Sequence, residues 1–333
     1  MPPRTIATWM SPSRDAWLAE VRGWVVQQLG ELTEFEVVRE APWSVVVRCT
    51  AAERGFYFKA SPADGVNEPA LLQLLSSRWA ELVPTPVAID RERGWMLLPH
   101  AGEALCDRTD TANALPRWKE VIARYARMQA ALGGERGALL AVGLPDRGMN
   151  RLPTLLTELL ANEAAIRLGM SDGLSADERD AMLRTLPFLE GQCARIMAAG
   201  IPESLDHGDL HDGNVLVKGD ALCVIDWGDA VITHPVCSVV VTLTTIQGWQ
   251  QVDLQAPVTL ELRDAYLQEW THLAPLPDLQ QLFPTSMWIG HLTRALDWHH
   301  VLRNASDEAG KPYQHFAALW LKRWYAQRDT LKL

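Results

Sequence analysis

Hydrophobic and polar positions recur with two different periods along this chain, and the change of period divides it. Across residues 13–29, Trp17, Val21, Trp24, Val25 and Leu29 return at three- and four-residue steps, the signature of a helix with one apolar face, and Gly30 stands where such a helix stops. Over residues 35–59 the period falls to two, in FEVVRE, SVVVRCT and GFYFKA, with polar breaks at Ala41-Pro42 and from Ala51 to Gly55. Three antiparallel strands follow from that alternation. A helix is expected to begin near Asn67, with Leu71, Leu72 and Leu75 on its apolar side, and residues 84–89 and 94–102 read as further strands. Beyond them the period is helical over residues 112–132, 149–168, 175–199, 234–248, 257–273, 278–302 and 314–327. The third of these opens with Ser175-Ala176-Asp177-Glu178, which fits a capping box. There is no internal repeat, and the polar residues 304–311 read as a mobile loop.

One stretch breaks the helical half. Residues 204–230 read SLDHGDLHDGNVLVKGDALCVIDWGDA. A polar loop leads into two short apolar runs joined by Gly219-Asp220, which is a hairpin pattern, and the hairpin connects Asn214 to Asp226. Asp, Asn and Gly also favour turns and caps for local reasons, so any one of them alone would mean little. Their joint spacing, with apolar runs where a hairpin needs them, carries the signal.

Composition narrows the setting. At 333 residues with 48% apolar side chains, the chain suffices for one large domain or two lobes with proper cores. A formal net charge of -10 argues against nucleic acid or an anionic membrane as partner, because both reward a basic face. The five cysteines, Cys49, Cys106, Cys193, Cys223 and Cys237, are scattered and form no C-x-x-C pair, so neither a zinc site nor a disulfide framework is indicated. No apolar run approaches the roughly 18 residues of a membrane span, and the start MPPRTIATWMSPSRD has no hydrophobic signal core. A cytoplasmic location is expected.

The sequence HGDLHDGN followed by VIDWGDA resembles the aminoglycoside-phosphotransferase-like family of small-molecule kinases, the choline-kinase type included, which shares the protein-kinase-like fold. Gly208 follows His207 where protein kinases carry Arg, and a second histidine, His211, follows Asp209. The resemblance implies an α+β, bilobed fold, with a small antiparallel-sheet lobe over residues 1–98 and a larger, mostly helical lobe over residues 99–333. It implies transfer of the γ-phosphate of ATP, or of GTP, with Mg2+ to a hydroxyl of a small molecule: an aminoglycoside, a sugar, an amino alcohol or a hydroxy amino acid. Asp209 would be the catalytic carboxylate, Asn214 and Asp226 the metal ligands, and His207 and His211 braces of the loop. Lys59 would reach the nucleotide phosphates, held by Glu68, and residues 97–102 would form a hinge where Leu98 and His100 meet the nucleotide base. The acceptor would lie against the C-terminal helices, where Asp297 and Trp298 are candidates for holding it, although tryptophans at helical spacing more commonly fill a core.

Two features depart from that pattern. Where protein kinases place a glycine-rich loop, this chain has Arg39-Glu40-Ala41-Pro42-Trp43-Ser44, which leaves Ser44 and nearby amides to cover the phosphates. After Pro235 the family's bracing aspartate is missing, and Ser238 is the candidate replacement. A nucleotide-binding pseudokinase with a regulatory or scaffold role is the rival that these losses favour. A protein kinase is disfavoured, because residues 226–235 are too few for an activation loop. The acceptor's identity and the oligomeric state are left open.

Overall fold

The computed structural model describes residues 13–62, 68–108, 111–250, 255–303 and 310–328; the expected helix start at Asn67 and all but the end of the 304–311 loop lie outside the described residues. The chain divides into two compact units. The first comprises Met1–Glu103, Leu216–Gly228 and His300–Tyr313, and the second comprises Ala104–Val215, Asp229–His299 and Gln314–Leu333.

The first unit is built on a five-stranded antiparallel sheet. Helix α1 (Arg14–Leu29) precedes β1 (Glu34–Ala41), β2 (Ser44–Ala51) and β3 (Arg54–Ala60), then α2 (Glu68–Trp79), β4 (Ala88–Asp90) and β5 (Trp95–Pro99), in sheet order β1-β2-β3-β5-β4. Alternation gives the sheet two different faces. Val45, Val47, Phe58, Trp95 and Leu97 point to one face, where Trp17, Val21 and Val25 of α1 cover them. Trp17, Trp24, Phe58 and Trp95 meet there edge to face, with Phe58 and Trp95 centroids 5.5 Å apart. The registered row Val46, Lys59 and Met96 points the other way. The strand expected at 84–89 is only Ala88–Asp90, because Pro84 and Pro86 have no N–H to give a ladder. A short β6 (Glu103–Ala104) follows β5, and the expected hairpin is β8 (Val215–Lys218) and β9 (Ala221–Val224).

The second unit is mostly helical. Its elements are α3 (Leu105–Arg108), α4 (Thr111–Leu132), α5 (Arg136–Ala141), α6 (Leu152–Ala161), α7 (Ala176–Leu183), α8 (Leu186–Met197), α9 (Val240–Gln250), α10 (Pro257–Gln268), α11 (Leu276–Arg303) and α12 (Phe316–Gln327). The helix expected over 149–168 ends at Ala161, and the one over 175–199 is two, because Pro187 fits the first turn of a new helix better than the middle of an old one. The capping box at Ser175 and Glu178 forms reciprocally, at 3.1 and 2.7 Å. Leu156, Leu159, Met182, Leu189, Trp288, Leu292, Leu321 and Trp324 make the core. Trp288 stacks on Trp324 at 5.2 Å and donates its indole N–H to the Trp324 carbonyl at 2.8 Å, so these helix-spaced tryptophans are packing residues. Two three-residue strands, β7 (Ser204–Asp206) and β10 (Val231–Thr233), pair antiparallel and flank the polar loop. No helix of the described residues is long and apolar enough to cross a membrane.

Candidate active site

In the first unit, β-alternation sends Phe58 and Ala60 toward α1 and Lys59 to the opposite face, where it is 7% exposed. Its ammonium lies 2.9 Å from Glu68 Oε1 and 2.5 Å from Asp226 Oδ1. Burial alone would depress the Lys59 pKa, but the Asp226 and Glu68 carboxylates outweigh it and hold the group above its ordinary value. Glu68 is fully buried in the first turn of α2. It also accepts the Trp227 N–H at 2.9 Å and the Ser61 hydroxyl at 3.2 Å, so one carboxylate fixes both the lysine and the turn after Asp226. Asp226 has φ 65, a left-handed conformation that Asp tolerates better than most residues.

Three further residues expected at a nucleotide site are also in this unit. Ser44 is buried at the start of β2. Leu98 is half-buried on β5, opposite Tyr57. His100, expected at the base edge, has its backbone N–H bonded to the Gly55 carbonyl at 3.0 Å and its ring stacked on Tyr57. It therefore has no amide donor to offer a base.

In the second unit the polar loop is held from several sides. Gln129 of α4 donates to the Leu205 carbonyl at 2.6 Å and to Ser238 Oγ at 3.1 Å, while the Ser204 hydroxyl donates to the Gln129 carbonyl at 2.6 Å. The Tyr125 hydroxyl accepts the His207 N–H at 2.8 Å, and Asp206 Oδ1 accepts the Gly208 N–H at 3.0 Å. His207 is fully buried, and its Nδ1 accepts the Asp209 N–H at 3.2 Å. Thr242 of α9 donates to the Leu210 carbonyl at 2.7 Å. Gly208 has φ 78, and a Cβ there would fall 2.4 Å from the Asp229 carbonyl, so only glycine lets the loop pass. Ser238 thus holds Gln129, which in turn holds β7, while Asp206, Tyr125 and Thr242 bond the loop from inside and around it.

Asp209 Oδ1 is bound by Arg294 of α11 at 2.6 Å. The same guanidinium donates to the Gly208 carbonyl at 3.0 Å and to Asp229 Oδ2 at 3.2 Å, with Asp297 Oδ2 at 3.8 Å. Burial works to raise the Asp209 pKa, but Arg294 first and then His211 outweigh it and hold the carboxyl well below the usual range, ionised at neutral pH. His211 Nε2 lies 3.6 Å from Asp209 Oδ2, and the neutral ring accepts the Gly213 N–H on Nδ1 at 3.0 Å. Asp209 and then Asp212 draw the His211 pKa up to about 9; protonation trades the Gly213 bond for Asp212 Oδ1, 3.4 Å away. Asn214 donates Nδ2 to the Asp209 carbonyl at 2.9 Å.

Two expectations need correcting. Asp297 is not an open ligand for an acceptor: it is 4% exposed and engaged by Arg147, which also donates to the Thr293 carbonyl at 3.0 Å. Trp298 packs over the Arg294 guanidinium at 5.3 Å and stacks on Phe316 at 4.4 Å, which makes it a cover for the ion cluster. Arg294 and Arg147 carry no motif. The one available signal for Arg294 is a charged pair, Arg294 and Asp297 at i,i+3, inside the otherwise apolar stretch of α11.

The model of the phosphotransferase enzyme family, APH, matches residues 25–283, well over half of the chain. The chain belongs to that family. This phosphotransferase shares its fold with several solved kinases. The choline kinase from Cryptosporidium parvum Iowa II is 12% identical, with 94% of this chain and 96% of that one covered at a TM-score of 0.62. The ethanolamine kinase of Plasmodium vivax is 13% identical, covering 91% and 85% at 0.59. A thermostable mutant of the aminoglycoside phosphotransferase APH(4)-Ia, in ternary complex with ADP and hygromycin B, is 16% identical, covering 91% and 98% at 0.53. At such identities the likeness is one of fold, an α+β kinase-like architecture. No match is found among curated protein sequences.

Proposed function

We propose that this phosphotransferase moves the γ-phosphoryl group of ATP, with Mg2+, to a hydroxyl of a small molecule. The observation that carries the reading is the buried Lys59 ammonium, held between Glu68 at 2.9 Å and Asp226 at 2.5 Å, on a chain whose family transfers phosphoryl groups. A buried lysine pinned between two carboxylates is a costly feature to keep for stability alone, and it suits the gripping of phosphate oxygens.

The residues present fit the metal as well. Asp226 offers a carboxylate, and Asn214, with Nδ2 committed to the Asp209 carbonyl, keeps Oδ1 as its acceptor end; both are the hard oxygen donors that Mg2+ prefers. When bound, the metal would neutralise charge on the phosphates. Asp209 would orient the acceptor hydroxyl through Oδ2, the oxygen not bonded to Arg294, and take its proton late, as the acceptor oxygen bonds to phosphorus and the bond to the ADP oxygen breaks. Arg294 would hold Oδ1 of that carboxylate and favour its ionised form. Gly208 and His207 fix the backbone that presents it.

Similar structures are described as kinases of choline and of ethanolamine and as a complex with hygromycin B, so amino alcohols and aminoglycosides head the acceptor panel, followed by sugars and hydroxy amino acids. The test is nucleotide consumption by purified protein with Mg2+ and ATP or GTP across that panel. Turnover with one acceptor class supports the reading. Tight nucleotide binding with no transfer to any acceptor favours the pseudokinase instead.

A further inference from the structure

The strand pair that should carry the phosphate-covering loop is joined here by only two residues, Pro42 and Trp43, since Ala41 pairs directly with Ser44. Proline has no N–H, and the Trp43 ring packs against Tyr313 at 4.8 Å, so the turn is anchored and poor in amide donors. Just before it, the β1-β2 register slips. Val37 opposes Val47, but Arg39 opposes Val46, so Val38 is an extra residue in a β-bulge.

The bulge decides which way Arg39 points. In an unbroken strand Arg39 would share the face of Val37, which packs toward α1. With Val38 inserted, Arg39 joins the registered row Val46, Lys59 and Met96 on the opposite face. Glu40 is correspondingly turned to the α1 side, where it accepts from Arg14 at 2.8 Å. Arg39 Nη1 then lies 3.5 Å from Asp226 Oδ2, while Lys59 holds Oδ1 of the same carboxylate.

We infer that Arg39 is a phosphate-binding residue, a second cation beside Lys59 that grips the terminal phosphates of the nucleotide in place of a glycine-rich loop. The inference rests on the nucleotide-binding reading of this site. The Arg39 side chain is 53% exposed, and an ion pair of that exposure adds little stability, so its pairing with Asp226 does not account for a bulge that interrupts the ladder. A planar guanidinium with two parallel N–H donors matches phosphate oxygens bidentately, which Lys59, a point charge already committed to Glu68, does not. Asp226 has two cations on it and is itself a metal ligand in the proposed chemistry. A nucleoside triphosphate supplies the anionic oxygens that the arginine would take.

The experiment is calorimetric binding of ATP, ADP and AMP with Mg2+ to the wild type, Arg39→Ala and Arg39→Lys, with thermal unfolding of each. Arg39→Ala should weaken ATP roughly tenfold or more, the span of one charge-assisted hydrogen bond, leave AMP within about twofold, and unfold at the wild-type temperature. Arg39→Lys should fall between the two. Equal ATP affinity in wild type and Arg39→Ala overturns this inference alone, as does a uniform loss for ATP, ADP and AMP. A wild type that binds none of the three overturns both the inference and the phosphotransferase mechanism beneath it.

Discussion

Arg294→Met is the perturbation for which the structure yields the most definite magnitude. The substitution keeps an apolar stem of similar length under Trp298 and removes a guanidinium that serves Asp209 Oδ1, Asp229 Oδ2 and the Gly208 carbonyl. Deleting one partner of a buried ion pair costs about 3–5 kcal/mol. The Asp209 and Asp229 side chains are 27% and 23% exposed, so water partly compensates them, whereas Asp297, 4% exposed, keeps only Arg147. The expected loss is therefore at the low end, about 3 kcal/mol, which for a unit of this size lowers the unfolding temperature by roughly 5–10 °C. Urea unfolding followed by tryptophan fluorescence reads it, with an unchanged m-value as the control. Adding Asp297→Asn should recover about 1 kcal/mol, because it removes the carboxylate left worst off. A single variant within about 0.5 kcal/mol of wild type, or a double variant whose losses simply add, would refute the assignment of Arg294 as the cluster's central cation.

Two further predictions concern the same region. His234 and His291 are buried; burial pushes the pKa of His234 down to about 3 and that of His291 to about 4, and neither ring nitrogen of His234 meets a partner among the described residues. Both stay neutral in the fold while the unfolded chain takes protons below about pH 6.5, so stability is complete above that pH and falls as pH drops, by roughly 2 kcal/mol per histidine at pH 5; His234→Leu should flatten the acid limb of a stability-against-pH curve, and an unchanged slope would contradict the buried neutral ring. Gly208→Ala places a Cβ 2.4 Å from the Asp229 carbonyl at φ 78, so it should cost at least about 1–2 kcal/mol and abolish transfer while ATP affinity persists; wild-type turnover would show that the loop does not need that passage.

The sheet of the first unit was legible because half-buried strands alternate and nothing in 35–59 competes with that period. Lys59 and Glu68 could be found because a strand lysine and a first-turn glutamate fall where the motif downstream demands them. What the pattern did not disclose were short or buried things. Strands β7 and β10 are three residues each, too brief to show a period, and exist because Gln129 and the polar loop hold them. The bulge at Val38 is invisible in FEVVRE, because both registers keep Phe35 and Val37 on the α1 side and differ only in whether Arg39 or Glu40 follows them there. Arg294 lies in a helix whose apolar residues face nearly all round, so amphipathicity gave no face on which to place a charge. Asp297 was visible as a carboxylate near tryptophans, but its partner Arg147 sits 150 residues away, and only tertiary contact shows that the carboxylate is spent internally.

In the proposed mechanism Asp209 directs transfer without contributing to nucleotide binding. A paired experiment on Asp209→Asn separates the two roles: calorimetric affinity for ATP with Mg2+, and mass-spectrometric detection of phosphorylated acceptor. The expected result is an affinity within a few-fold of wild type and transfer reduced by at least about 10²–10⁴-fold, the usual contribution of a positioned general base. Phosphorylated acceptor formed at the wild-type rate would contradict it.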